Sequence, residues 1–181
     1  TLAETNKTFL MKKITFILLF ALSALSVSAQ ETKFGFTGGF LNAEVKITAD
    51  NQGSFSESDS GFYVGALADI NLNGSLHLQP EVLYGNINDG SVLFIPVLLK
   101  YYISESNFNI MAGPQATIDL EEGGEGYNEL GIDASFGIGY DITENFFIDA
   151  RYNLELTNRI GDVQGIPGDY KGKINTLHIG V

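Results

Sequence analysis

The sequence predicts an all-β chain that folds as an eight-stranded antiparallel up-and-down transmembrane β-barrel. The first observation is an alternation of apolar residues with polar residues or glycine at every second position, which is the period of a β-strand. The second is that short turns and longer polar connections alternate along the chain, as in outer-membrane barrels. The third is an N-terminal segment with the composition of an export signal.

The N-terminal segment is set apart from the barrel. Residues 1–10 contain no fold signal and are interpreted as an upstream extension of the reading frame. Residues 11–29 begin with a methionine and two lysines, continue with an apolar run from Ile14 to Leu25, and end in small residues. This order is typical of a secretory signal peptide, and the run is too short for a membrane-spanning helix, which needs ~20 residues. Residues 30–181 are therefore predicted to be one outer-membrane β-barrel domain.

Charge and cysteine content limit the classes of partner and site. The chain has 22 acidic and 10 basic side chains, and its formal net charge is −12. Such a surface repels nucleic acid, because nucleic-acid binding depends on Lys and Arg contacts to phosphates. The absence of cysteine excludes a disulfide framework, a Cys-ligated zinc site and a thiol nucleophile.

Eight segments show the alternation. They are predicted as strands at 33–48, 61–72, 75–88, 91–103, 107–119, 128–142, 146–158 and 172–181. In the sixth, the even positions from Leu130 to Ile142 are apolar, and the odd positions are glycine, serine or aspartate. In the first, apolar residues change parity after Phe36, and a bulge at Gly38-Gly39 is expected to account for the change. Three strands contain a proline, which removes a ladder donor: Pro80, Pro96 and Pro114.

The connections between these strands alternate in length. Short turns are predicted at 73–74, 104–106 and 143–145, and mostly longer polar connections at 49–60, 88–90, 119–128 and 159–172. In outer-membrane barrels the short turns are periplasmic and the long loops are extracellular. An even strand number with full closure also removes unpaired sheet edges.

The composition of the polar face indicates which face is outside. A soluble, lipocalin-like barrel would turn the apolar face inward around a ligand, whereas a membrane barrel turns it toward lipid. The polar face combines small residues with a few charges, which suits an eight-stranded interior only just wide enough for side chains. The predicted polar cluster of the lumen is Asp69, Glu81, Lys100, Asp133, Asp149, Arg151 and Glu155. These residues form either an ion-pair plug, which we favour, or a conduction path.

No catalytic, cofactor-binding or metal site is predicted. His77 and His178 both lie on the polar parity, away from the lipid face on which a lipid A substrate would lie, and no Gly-x-Ser-x-Gly or His-Glu-x-x-His motif is present. One acidic connection is a weak candidate for calcium, through Asp119, Glu121, Glu122 and Glu125. Its spacing matches no EF-hand loop, so a solvated loop is expected, with divalent-ion bridging to lipopolysaccharide phosphates as the alternative.

Several sequence blocks also resemble a known family. "LHLQPEVLYG", "FIPVLLKYYI", "NIMAGPQATI" and "LGIDASFGIGYDI" are similar to the outer-membrane β-barrel domain of PorT-like and porin-family proteins from Bacteroidetes-type bacteria, small barrels of the OmpA/OmpX kind. The resemblance covers residues 33–181. It implies a monomer in the cell outer membrane, in contact with lipid and lipopolysaccharide and inserted by the barrel-assembly machinery. Family members usually end in an aromatic residue, whereas this sequence stops at Gly180-Val181, so a few further residues are expected.

The function expected from these features is a structural or interaction role. The connections at 49–60, 119–128 and 159–172 would carry it, and the protein is not expected to be an enzyme. Three alternatives stay open at this stage: a narrow porin or solute channel, a PorT-like accessory to protein secretion, and a lipid-A-modifying enzyme.

Overall fold

The computed structural model describes residues 32–49, 53–88, 90–104, 106–121, 127–160 and 170–181. Its strands are β1 (Thr32–Ala49), β2 (Gly53–Asn71), β3 (Leu76–Ile87), β4 (Gly90–Tyr102), β5 (Phe108–Asp119), β6 (Leu130–Asp141), β7 (Phe147–Glu155) and β8 (Tyr170–Gly180). They close into one barrel in sequence order, and every neighbouring pair is antiparallel. The predicted fold class is confirmed. No helix in the described part of the chain is long and apolar enough to cross a membrane. The predicted N-terminal extension and signal peptide lie outside the described residues.

The strand register gives the barrel its stagger. Following registered partners once around from Thr32 leads back to β1 at Asn42, ten residues further along. The path runs through Ile70, Leu78, Leu99, Ala112, Phe136, Tyr152 and Leu177. With a rise of ~3.3 Å per residue and strands ~4.8 Å apart, this stagger corresponds to a strand tilt of about 40°. A barrel of this size has an interior only just wide enough for side chains.

The apolar parity faces outward. Phe36 and Ile138 are 89% and 65% exposed, whereas Asp133 and Arg151 are 3% and 2% exposed. Because exposed apolar side chains surround a polar interior, the sheet has the arrangement of a barrel that faces lipid. The connections after β2, β4 and β6 lie at one end of the barrel, called here the turn end. The connections after β1, β3, β5 and β7 lie at the opposite end, called here the loop end, and of these only the ones after β5 and β7 are long.

The predicted bulge at Gly38-Gly39 is wrong. The pairing of β1 with β2 runs without a break from Thr32↔Ile70 to Ala49↔Gly53. Odd-numbered residues therefore lie on the same face of β1 along its whole length, and this face points inward. The apolar residues Leu41 and Ala43 on this face are buried in the lumen. Leu41 packs there in a small apolar cluster with Tyr63, Leu83 and Phe94. The change of apolar parity in the sequence marks this cluster rather than a change in backbone geometry.

The predicted loop at 49–60 is also wrong. β1 continues to Ala49 and β2 begins at Gly53, so most of that segment is strand. β8 begins at Tyr170, inside the predicted loop 159–172, and extends the same sheet. β7 ends at Glu155, earlier than predicted, while the remaining strand ends lie close to their predicted positions.

The three prolines interrupt the sheet without shifting its register. The β2–β3 ladder skips the pair Ala68/Pro80 and its neighbour and then resumes with the same offset. The β3–β4 and β4–β5 ladders have matching gaps at Pro96 and Pro114. Each proline lacks a partner only on the strand that precedes its own. On the strand that follows, each proline keeps a registered partner: Val97 for Pro80, Gln115 for Pro96 and Ala134 for Pro114. Each proline therefore lacks a donor toward one neighbour only, and no bulge is needed.

Candidate functional site

The charged side chains of the lumen form three groups, each with one cation between two carboxylates. The cations are Lys100, Arg151 and Arg159. The groups follow one another from the turn end to the loop end. All seven residues predicted for the lumen lie inside the barrel, and the structure divides six of them among these groups. The seventh, Asp133, is held differently.

The turn-end group is centred on Lys100. Its Nζ lies 3.4 Å from Asp69 Oδ2 and 3.7 Å from Asp141 Oδ1. The Tyr102 hydroxyl donates to Asp141 Oδ2 at 2.6 Å, and His77 Nδ1 is hydrogen-bonded to Asp69. His77 is thus occupied by a carboxylate, in a cluster that ties β2, β3, β4 and β6 together.

The central group crosses the barrel. Arg151 on β7 donates from Nη1 to Glu81 Oε2 on β3 at 2.6 Å, and from Nε to Asp149 Oδ1 at 3.2 Å. Gln79 Nε2 donates to the other oxygen of Glu81 at 2.6 Å, and Arg151 Nη2 donates to the Tyr63 hydroxyl at 3.4 Å. In a barrel of eight strands, β3 and β7 are diametrically opposite. A single guanidinium therefore bridges the lumen.

The loop-end group contains a residue that sequence reasoning missed. Arg159 lies beyond β7 but is buried, with its Nε bonded to Glu155 and its Nη1 3.4 Å from Asp119 Oδ2. The same Nη1 donates to the carbonyl oxygens of Asn128 at 3.2 Å and Glu129 at 2.8 Å. Arg159 thus joins two loop-end connections over the mouth. Its odd number continues the inward parity of β7, and this was the available signal.

Asp133 is held by neutral groups. Gln115 Nε2 donates to its Oδ2 at 2.9 Å, and the Thr117 hydroxyl donates to the same oxygen. A further network lies alongside, in which Ser135 donates to Asn153 and Asn153 Nδ2 donates to Thr176 Oγ1 at 2.9 Å. Among the described residues, no cation forms an ion pair with Asp133.

His178 packs against the apolar part of the lumen. Its ring stacks on Tyr63, with centroids 5.0 Å apart, and meets the edge of Phe94 at 4.8 Å. Neither ring nitrogen has a hydrogen-bond partner among the described residues. A histidine base that activates a hydroxyl nucleophile needs that hydroxyl within hydrogen-bond reach, and no described residue places one at His178.

The acidic connection is divided between different environments. Asp119 accepts from the Tyr127 hydroxyl as well as from Arg159, so it belongs to the loop-end group. Burial and this hydrogen bond raise the pKa of the Tyr127 phenol. Glu121 is exposed, and Glu122 and Glu125 lie outside the described residues. Within the described ranges, no group of three or more acidic or histidine side chains is arranged to hold a metal ion.

Comparison with known proteins identifies the family. The model of the outer membrane protein beta-barrel domain family matches residues 14–181. The chain belongs to that family. Two solved structures are similar. Neisserial surface protein A (NspA) has 17% identity and a TM-score of 0.47, over 83% of this chain and 97% of that one. OprG from Pseudomonas aeruginosa has 13% identity and a TM-score of 0.34, over 83% and 95%. A search of curated proteins found no match.

Proposed function

We propose that this outer-membrane barrel is closed to solutes by its own side chains and acts through its loop-end surface, in a structural or interaction role. The observation that carries the proposal is the contact between Arg151 on β7 and Glu81 on β3. It joins opposite walls of the lumen at 2.6 Å, and both side chains are almost completely buried. A solute moving along the axis would have to separate this pair.

The energetic cost of such a separation is large. Breaking a buried ion pair leaves uncompensated charges in a poorly solvated interior and costs ~3–5 kcal/mol. Tyr63, Phe94, Leu41 and Leu83 occupy the neighbouring part of the lumen. Eight-stranded barrels of this kind are filled by side chains, whereas barrels of 16 or more strands leave aqueous channels.

Conductance in a planar lipid bilayer tests the closed lumen. The purified wild-type protein should insert without giving steady single-channel currents. The double variant Arg151→Ala/Glu81→Ala, which removes the bridge and both charges, should give measurable currents. Steady currents from the wild type would refute the closed lumen and favour a narrow porin.

The narrower parts of the proposal concern location and relatives. The motifs shared with PorT-like and porin-family proteins support a Bacteroidetes-type outer-membrane protein that is exported by residues 11–29, inserted by the barrel-assembly machinery and surrounded as a monomer by lipid and lipopolysaccharide. A deletion strain should secrete its usual proteins, and overexpression should leave the lipid A mass spectrum unchanged. A loss of secreted proteins would favour the secretion accessory, and a new lipid A species would favour the enzyme.

A further inference from the structure

The sheet formed by β1, β2 and β8 extends further at the loop end than the rest of the barrel. Pairing of β1 with β2 continues to Ala49↔Gly53, and pairing of β1 with β8 continues to Ala49↔Tyr170. Pairing of β2 with β3, in contrast, begins only at Gly61↔Ile87. In the described part of the chain, residues 53–60 of β2 are therefore paired on one side and form an open strand edge.

The backbone groups that face this open side can be assigned. Gly38 exchanges hydrogen bonds with Val181, so the even residues of β1 bond toward β8 and the odd ones bond toward β2. By the same alternation, the odd residues of β2 bond to β1 and the even ones face β3, as the bond from Leu72 N to Leu76 O confirms. Ser56 and Ser58 consequently direct their N–H and C=O groups to the open edge.

The edge is held in an extended conformation before anything binds. Asn42 on β1 donates from Nδ2 to the Asp59 carbonyl oxygen at 3.0 Å and to Ser60 Oγ at 3.1 Å. Ser58 Oγ donates back to Asn42 Oδ1 at 3.1 Å. A preformed strand lowers the entropic cost of adding another strand to it.

The side chains of the edge define the chemistry that it would accept. Phe55, Glu57 and Asp59 share the face that continues the lumen, all three are exposed, and Phe55 is 64% exposed. An added strand would place an apolar residue opposite Phe55 and basic residues opposite the two carboxylates. Cross-strand pairs of opposite charge are favourable, and like charges directly opposite are unfavourable.

This charge pattern disfavours a second copy of the chain as the occupant. Parallel in-register pairing would place Glu57 opposite Glu57, and antiparallel pairing centred on Ser58 would place Glu57 opposite Asp59. We propose that residues 54–60 of β2 bind, by strand addition, an extended segment of another protein whose residues alternate and whose inward face is apolar and basic. The proposal rests on the interaction role proposed above and names the class of partner.

Peptide binding to the full-length protein in detergent micelles tests this proposal. The probe is a fluorescent peptide with the core lysine-threonine-lysine-threonine-valine, and the matched control peptide has glutamate in place of lysine. Ser58→Pro removes one edge N–H without breaking a bond to β1, whereas Ser58→Ala removes only the hydroxyl. Glu57→Lys reverses a charge on the edge, and Glu121→Lys makes the same change at an exposed loop-end residue that follows β5 and is not part of β2.

Fluorescence anisotropy should show that the basic peptide binds the wild type, Ser58→Ala and Glu121→Lys alike. Ser58→Pro should bind about tenfold more weakly, and Glu57→Lys should lose the preference for the basic over the acidic peptide. Equal binding to Ser58→Pro and Ser58→Ala, equal binding of the two peptides to the wild type, or no binding at all would overturn the proposal.

The heat-dependent shift in SDS gels reports whether each variant is folded. If Ser58→Pro does not fold, the Glu57→Lys and Glu121→Lys pair still decides the outcome. If the wild-type protein gives no steady current in the bilayer and binds no peptide, only the edge proposal is overturned. If it gives steady currents and binds the basic peptide, only the closed lumen is overturned.

Discussion

Replacing Arg151 by methionine is the most direct test of the lumen's ionic structure. Arg151 is the only cation within salt-bridge distance of Glu81 and Asp149 among the described residues, at 2.6 and 3.2 Å. Methionine keeps much of the side-chain volume but leaves both buried carboxylates without a cation. Because removing one partner of a buried pair costs ~3–5 kcal/mol, the free energy of unfolding should fall by about that amount.

Urea unfolding in lipid vesicles, followed by the mobility of unboiled samples in SDS gels, measures this loss. Adding Glu81→Met to Arg151→Met should restore about half of it, because one of the two unpaired carboxylates is then removed while Asp149 remains. Lys173→Met, at an exposed position, should change stability by less than ~0.5 kcal/mol. A loss below ~1 kcal/mol for Arg151→Met, or no recovery in the double variant, would refute the reasoning.

Other perturbations separate the remaining features. Arg159→Met should make the loop end more sensitive to protease while the barrel still shifts on heating, since each lost hydrogen bond to a charged group costs ~1.5–3 kcal/mol; unchanged digestion would contradict this. Asp133→Asn should cost less than ~1 kcal/mol in urea unfolding, because its donors, Gln115 and Thr117, are neutral. Ile138→Lys should cost ~2–4 kcal/mol in lipid vesicles, because it puts a charge on the lipid face; a negligible cost would argue for a water-exposed face. Tyr127 has a raised pKa in the folded state, so its contribution to stability holds below its unfolded pKa of 10.0 and is lost as pH rises above it. An ultraviolet titration should accordingly show that Tyr127→Phe lowers the number of late-ionising phenols by one.

The faces of the strands other than β1 were predictable, because the alternation assigns each residue to one face of its strand. In β6 every even position is apolar, and the structure turns those positions outward. Residues 53–60 of β2 were missed for a physical reason. That part of the strand extends beyond the closed barrel, so neither of its faces has to be apolar, and "GSFSESDS" has the composition of a loop. Arg159 was missed because it lies beyond the end of β7, where inward parity alone does not show that a connection folds back over the mouth.

The pairing of lumen charges was not predictable either, and the reason explains what these charges contribute. Alternation with period two fixes which face of a strand points inward, because a slip of one residue reverses every side chain. A slip of two residues preserves both faces, so alternation alone leaves such registers equivalent. A slip of two residues would, however, move Arg151 by ~7 Å along its strand relative to Glu81. This displacement would break the 2.6 Å contact between the two side chains. The same displacement would separate Lys100 from Asp69 and Arg159 from Asp119. We infer that the apolar pattern selects the faces, and that the three ion groups select the ten-residue stagger among the registers that this pattern allows.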